Sequence, residues 1–105
     1  MNPPEHVQIG PHRYTLTTHV WPEDDHQVGE CDKHALVIRY DDTQHRSQLA
    51  DTLLHECLHA ITYATGFSNE WGQELDEAFV YRFTPTLLSF LRDNPDLIRF
   101  LQKAT

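Results

Sequence analysis

The sequence predicts a single α+β domain over residues 1–105, with strands in the first half of the chain and helices in the second. Polar and apolar residues alternate from Arg13 to Trp21, which is typical of a half-buried strand. From about residue 48 onward the apolar residues recur at a helical period instead. A chain of 105 residues suits one compact domain and leaves no room for a second.

About three strands are predicted, and they form a short twisted sheet. His6 to Ile9 is a short strand that Gly10 ends, and Arg13 to Trp21 is the second. Ala35 to Tyr40, with the sequence ALVIRY, is rich in strand-forming residues and is the third. The polar stretch before it, PEDDHQVGECDKH, is predicted to be a loop.

The first predicted helix runs from about Gln48 to Thr65. Ser47 suits the N-cap position, and Gly66 suits the residue that ends a helix in the left-handed conformation. At about 100° per residue, its apolar side chains share one side of the helix. They are Ala50, Leu53, Leu54, Cys57, Ile61 and Ala64.

A second helix is predicted from Ser68 or Asn69 to about Arg92, and Pro85 should kink it or split it. A short third helix covers Asp96 to Lys103. The apolar residues of the second helix also form a stripe. They are Leu75, Ala78, Phe79, Phe83, Thr86, Leu87 and Phe90.

Composition excludes several classes of protein. The formal net charge of −8 disfavours a broad nucleic-acid interface, because phosphates would be repelled. No apolar run is long enough for a membrane span, and the N-terminus lacks the pattern of a signal peptide. We therefore expect a cytosolic protein, in which Cys31 and Cys57 stay reduced.

The stretch LLHECLHAITYATG, residues 53–66, holds two histidines four residues apart. On a helix that spacing places His55 and His59 one above the other, so both rings can reach one metal ion. Glu56 follows the first histidine and lies beside the pair, where it can reach a water bound to the metal. This HExxH pattern predicts a zinc site with Glu56 as general base.

A catalytic zinc site needs a third protein ligand, which must come from another element. Glu77 and Glu74 of the second helix are the main candidates, and Glu77 is preferred because Ala78 and Phe79 should hold it close to the core. The other glutamate could orient a histidine. Histidines elsewhere are weaker alternatives. They are His12, His19, His26 and His34.

Two tyrosines lie one helical turn after a predicted ligand, Tyr63 after His59 and Tyr81 after Glu77. Either hydroxyl could stabilise an oxyanion, although a half-buried amphipathic role is the simpler interpretation of each. Cys57 lies with the apolar stripe of its helix and is predicted to be a small core residue.

The short strands, the HExxH helix and the following ELDEAFVYRFTPTLLSFLRDNP together resemble small phage- and prophage-encoded zincin-like proteins. The chain looks like a minimal gluzincin, and in outline it is similar to ImmA/IrrE-type metallopeptidases. The resemblance covers about residues 29–101. It implies a small zincin-like fold, with the sheet packed on the motif helix and an edge strand able to align an extended peptide. It also implies zinc on His55, His59 and Glu77, with Glu56 as catalytic base.

The resulting hypothesis is a zinc-dependent metallopeptidase that acts on a protein or peptide substrate, in the host cytoplasm if the gene is carried by a phage. One alternative is a non-enzymatic, zinc-binding phage accessory module that binds a protein partner. A further alternative is a protein that binds no metal.

Overall fold

The computed structural model describes residues 2–104, which form a mixed sheet followed by helices, and the α+β class is confirmed. The strands are β1 (His6–Ile9), β2 (His12–Thr18), β3 (Gly29–Asp32) and β4 (Val37–Tyr40). The sheet order is β1-β2-β4-β3, so β1 and β3 form its edges within the described chain. β2 and β4 are parallel, while the two outer pairs are antiparallel.

The described residues contain four strands, whereas about three were predicted. The extra strand is β3, which lies in the segment predicted to be a loop, where a 3-10 turn also covers Glu23–Asp25. The four residues GECD are too few for an alternating pattern. Their strand conformation comes from antiparallel pairing with β4, which sets Cys31 opposite Ile38.

The helices are α1 (Arg46–Thr65), α2 (Phe67–Asp93) and α3 (Pro95–Lys103). α1 ends where predicted, and Gly66 takes the left-handed conformation with φ 83°. Its N-cap is His45 rather than Ser47, and the ring Nδ1 of His45 accepts a hydrogen bond from the backbone N–H of Ser47. No helix in residues 2–104 combines the length and the apolar character that a membrane crossing requires.

α1 lies between the sheet and α2. On its sheet side, Ala60 joins the buried side chains of the strands, with Leu53 and Cys57 packed against them. The buried strand residues are Ile9, Tyr14 and Ile38. On its other side α1 meets α2, and Glu56 and His59 are buried even though they lie on the polar side of the helix. His59 therefore lies against α2, whereas the carboxyl group of Glu56 lies under Gly29 of β3.

The orientation of α2 differs from the prediction. Its buried side chains are Asp76, Val80 and Thr84, and the apolar stripe faces outward, with Leu75 59% exposed and Phe79 37% exposed. The physical reason is the geometry of the helix. Residues two apart lie about 200° apart on a helix, so Glu77 and Phe79 cannot both face α1.

The irregularity in α2 is also not where it was predicted. The helix continues through Pro85, and the non-helical residue is Gly72, with φ 84° and ψ 165°. Glycine adopts a positive φ without a steric penalty, so the chain changes direction there at low cost. The segment before Gly72 carries Trp71, whose ring lies against the later part of the helix.

Candidate metal centre

Side by side, α1 and α2 bring His55, His59 and Glu77 to one point. The Nε2 atoms of the two histidines are 3.2 Å apart. One carboxylate oxygen of Glu77 lies 3.1 Å from Nε2 of His55, and the other lies 2.9 Å from Nε2 of His59. Within residues 2–104 this is the one group of potential ligands close enough to share a metal ion.

A second contact determines which nitrogen of His59 faces this group. Its Nδ1 lies 2.8 Å from a carboxylate oxygen of Asp76, and a carboxylate only accepts hydrogen bonds. Nδ1 therefore carries a proton, and in the neutral ring Nε2 presents a lone pair to Glu77. Two acceptors at 2.9 Å repel each other unless a proton or a metal ion lies between them.

The spacing of these atoms also fits a metal ion. With bonds of about 2.0–2.1 Å, two ligand atoms of a tetrahedral zinc lie roughly 3.3 Å apart. The observed separations of 2.9–3.2 Å are close to that value. Burial, and then the neighbouring His59, lower the pKa of His55, against the opposing effect of Glu77. A lower pKa favours the neutral imidazole that a metal requires.

Asp76 is the residue of this site that the sequence did not single out. It is 3% exposed, and its second oxygen accepts a hydrogen bond from Nε1 of Trp71 at 3.1 Å. Burial opposes its ionisation, but the neighbouring polar groups of Thr62, His59 and Trp71 hold the pKa of Asp76 below its usual range. Asp76 thus fixes the orientation of His59.

Glu56 lies beside the same cluster and is 9% exposed. It packs under the first residue of β3, where a Cβ on Gly29 would approach Oε2 of Glu56 to 2.9 Å and Cγ2 of Thr52 to 2.6 Å. Burial raises the pKa of Glu56 to about 7, with His59 opposing and Glu77 and Glu30 adding to the rise. The absence of a side chain at Gly29 therefore allows an edge strand to lie directly over this carboxyl group.

An open cavity of about 780 Å³ contains the cluster and Glu56. β3 and the turn after it form one wall, with Gly29, Glu30 and Lys33. The ring of Tyr63 stacks on that of His59 with centroids 6.3 Å apart, and Nζ of Lys33 lies 4.6 Å from the Tyr63 ring centroid. The cavity is large enough for part of a peptide, and Tyr63 and Lys33 are among the hydrogen-bond donors in its wall.

The structure separates the candidates that the sequence left open. Glu74 is not in the cluster, and it borders a different surface depression together with Tyr81, which is 73% exposed. Cys57 packs against the core, as predicted. The other histidines considered as ligands do not join the group formed within residues 2–104. They are His12, His19, His26 and His34.

Glu77 joins the cluster, but the reason for preferring it was wrong, because Phe79 is not in the core.

Comparison of the chain with protein-family models, with curated proteins and with solved structures found no match. The resemblance to zincin-like proteins therefore stays a prediction, and the argument about function depends on the site itself.

Proposed function

We propose that the protein is a zinc-dependent metallopeptidase in which His55, His59 and Glu77 hold the metal. The observation that supports this most strongly is the convergence of Nε2 of His55, Nε2 of His59 and the carboxylate of Glu77, with separations of 2.9–3.2 Å. Two imidazoles and one carboxylate form a ligand set that suits catalytic zinc and leaves one coordination position open.

When bound, zinc supplies a Lewis acid that polarises a carbonyl and lowers the pKa of a water ligand to near 7. The carboxylate of Glu56 accepts a proton from the attacking water and later donates that proton to the nitrogen of the leaving amine. The oxygen of water forms a bond to the carbonyl carbon, the peptide C–N bond breaks, and the products are a carboxylate and an amine that has received the proton from Glu56. A pKa of Glu56 of about 7 suits both halves of this transfer near neutral pH.

The remaining residues position these groups. Asp76 keeps the Nδ1 proton on His59 and so directs Nε2 toward the metal position. The hydroxyl of Tyr63 and the ammonium group of Lys33 are two donors in the cavity wall that could stabilise an oxyanion. β3 borders the cavity and pairs only with β4 among the described strands, so its outer backbone groups can bind an extended peptide.

Replacing Glu56 by glutamine tests this proposal. The zinc-loaded wild type and the Glu56→Gln variant would be incubated with a mixture of defined peptides, and new termini would be read by mass spectrometry. The variant should keep one zinc per chain and lose about 10²–10⁴-fold in cleavage rate, the usual contribution of a general base. The control is Glu70→Gln, an exposed glutamate at the start of α2 that lies outside the cavity.

Cleavage that survives Glu56→Gln unchanged would contradict the role of Glu56. Wild-type protein that binds zinc but cleaves no peptide would contradict peptidase activity. That outcome would favour the alternative of a non-enzymatic zinc-binding module. The two outcomes are distinguishable because zinc content is measured separately from cleavage.

A further inference from the structure

The strand β3 borders the metal cavity, but its two carboxylates are turned away from the metal side. Side chains alternate between the two faces of a strand. The position of Gly29 faces α1, and Cys31 packs against the core on the same side. Glu30 and Asp32 therefore project from the opposite face of the sheet. There their carboxylates lie 3.5 Å and 3.3 Å from Nη1 of Arg39, which partly neutralises them.

Lys33, the residue after β3, lies on the metal side instead. Its Nζ is 4.6 Å from the centroid of the Tyr63 ring, and that ring stacks on the ring of His59 with centroids 6.3 Å apart. A cation is attracted to the face of a tyrosine ring, so this contact holds the ammonium group against α1. Among the described residues that line the cavity, Lys33 is the one lysine or arginine.

The ammonium group of Lys33 has no carboxylate partner in the described part of the chain, because it belongs to none of the ion pairs found there. The acids of α2 that border the cavity already have partners. Asp76 accepts hydrogen bonds from His59 and Trp71, and Glu77 contacts the two histidines. A cation without a partner in an open cleft raises the local concentration of anions, which here means negatively charged groups of a substrate.

We propose that Lys33 binds a carboxylate of the substrate, so that the site prefers peptides with an acidic group close to the cleaved bond. The inference rests on the proposed peptidase function, because it assigns a substrate class to the same cavity. The two centroid distances place Nζ within about 11 Å of the His59 ring, the length of about three extended residues. The carboxylate therefore belongs to an Asp or Glu side chain within about three residues of the cleaved bond, or to a C-terminus at that distance.

Binding of paired peptides to the zinc-loaded Glu56→Gln variant tests this inference without any cleavage. Mixtures of fluorescent hexapeptides would carry glutamate or its neutral isostere glutamine at one fixed position, and further mixtures would end in a carboxylate or in an amide. Fluorescence anisotropy should show about three- to tenfold tighter binding of the carboxylate member at one or two positions, as expected for a charge-assisted contact at a partly exposed site. The pair that shows the preference identifies the source of the carboxylate as a side chain or a C-terminus.

Replacing Lys33 in the same background tests the assignment to this residue. Lys33→Gln should remove the preference for the carboxylate, and Lys33→Glu should reverse it. Lys33 is exposed, so both variants should fold and load zinc, which circular dichroism and metal analysis would check. Lys103→Gln is the matched control, because it removes the other lysine of the chain, which lies at the end of α3 outside the cavity. It should keep the preference.

Cleavage kinetics separate this role of Lys33 from the stabilisation of an oxyanion. With Glu56 intact, Lys33→Gln should lower kcat/KM for the glutamate peptides more than for the glutamine peptides, mainly through KM. An equal fall in kcat for both sets would overturn the proposal in favour of the oxyanion role.

The binding data also separate this proposal from the proposed function. A carboxylate preference that disappears with Lys33→Gln, in a protein that cleaves no peptide, would support the role of Lys33 and contradict peptidase activity. Cleavage by the wild type with equal binding of every carboxylate peptide and its neutral partner would overturn the role of Lys33 alone. Absence of any peptide binding would overturn it as well.

Discussion

Asp76→Ala should destabilise the protein even when no metal is present. The substitution removes the acceptor of two hydrogen bonds, from Nε1 of Trp71 at 3.1 Å and from Nδ1 of His59 at 2.8 Å. A buried donor left without a partner costs about 1–3 kcal/mol, so the loss should total about 2–6 kcal/mol. That is a large part of the roughly 5–15 kcal/mol that stabilises a typical domain. The stability of Asp76→Asn should lie between that of the wild type and that of Asp76→Ala, because the amide oxygen can accept a hydrogen bond from one of the two donors.

The same substitution should weaken zinc binding. Without Asp76 the ring of His59 can rotate or carry its proton on Nε2, which is the atom that faces the metal position. Removing the partner of a ligating histidine typically costs 10–100-fold in metal affinity, or about 1.4–2.8 kcal/mol. Affinity would be measured by competition with a chromophoric chelator at neutral pH.

Stability would be measured by urea unfolding of the metal-free proteins, with Asp42→Ala as a control at an exposed acid. Because the pKa of Asp76 lies below its usual range, the ionised carboxylate stabilises the folded protein above about pH 4. This stabilisation is lost as the pH falls further. The unfolding free energies of wild type and Asp76→Ala should therefore converge in acid. Equal stability and equal zinc affinity of the two proteins at neutral pH would refute this account of Asp76.

Zinc at 100 times its dissociation constant should raise Tm by about 10–20 °C in differential scanning fluorimetry, and an unchanged Tm would show that the folded protein binds no zinc. Gly29→Ala should cost about 1–3 kcal/mol in urea unfolding because its Cβ meets Thr52 and Glu56, and peptide cleavage should fall while zinc stays bound. Unchanged stability and cleavage would contradict that contact. Burial raises the pKa of Cys31 to about 12 and that of Cys57 to about 11. Alkylation of both thiols by iodoacetamide at pH 8 should be at least about a hundredfold slower than that of glutathione, and equal rates would be inconsistent with their burial.

Local signals explain which parts of the fold were predictable. The end of α1 at Gly66 follows from the conformation of a single residue, and the spacing of His55 and His59 follows from helix geometry alone. The strand β3 was missed because its four residues depend on β4 for their conformation. Such pairing joins residues that are distant in sequence, so a short segment carries no sign of it.

The orientation of α2 could not be read from its periodicity. A periodic pattern shows which residues share a side of a helix, but it does not show which side meets the rest of the protein. Apolar residues usually face the core, and Phe79 and Phe83 were therefore assigned there. In the structure α2 instead presents Asp76 and Glu77 to α1, where they contact His59 and His55.

The candidate site was predicted only in part, because the role of Asp76 depends on how α2 is rotated. HExxH indicated two ligands and a base, and the acidic run ELDE indicated where a third ligand could be. The rule that a ligating histidine needs a carboxylate partner also predicts an acid near His59. Choosing Asp76 for that role required the helix rotation, because Glu74, Asp76 and Glu77 are equally acidic in the sequence.

The central claim is that His55, His59 and Glu77 hold one zinc ion. The most direct test is a crystal structure of the zinc-loaded protein with anomalous data collected on both sides of the zinc absorption edge. The account predicts one anomalous peak per chain, within about 2.0–2.2 Å of Nε2 of both histidines and of a carboxylate oxygen of Glu77. A structure with no peak between these three residues, from protein that was saturated with zinc, would contradict it.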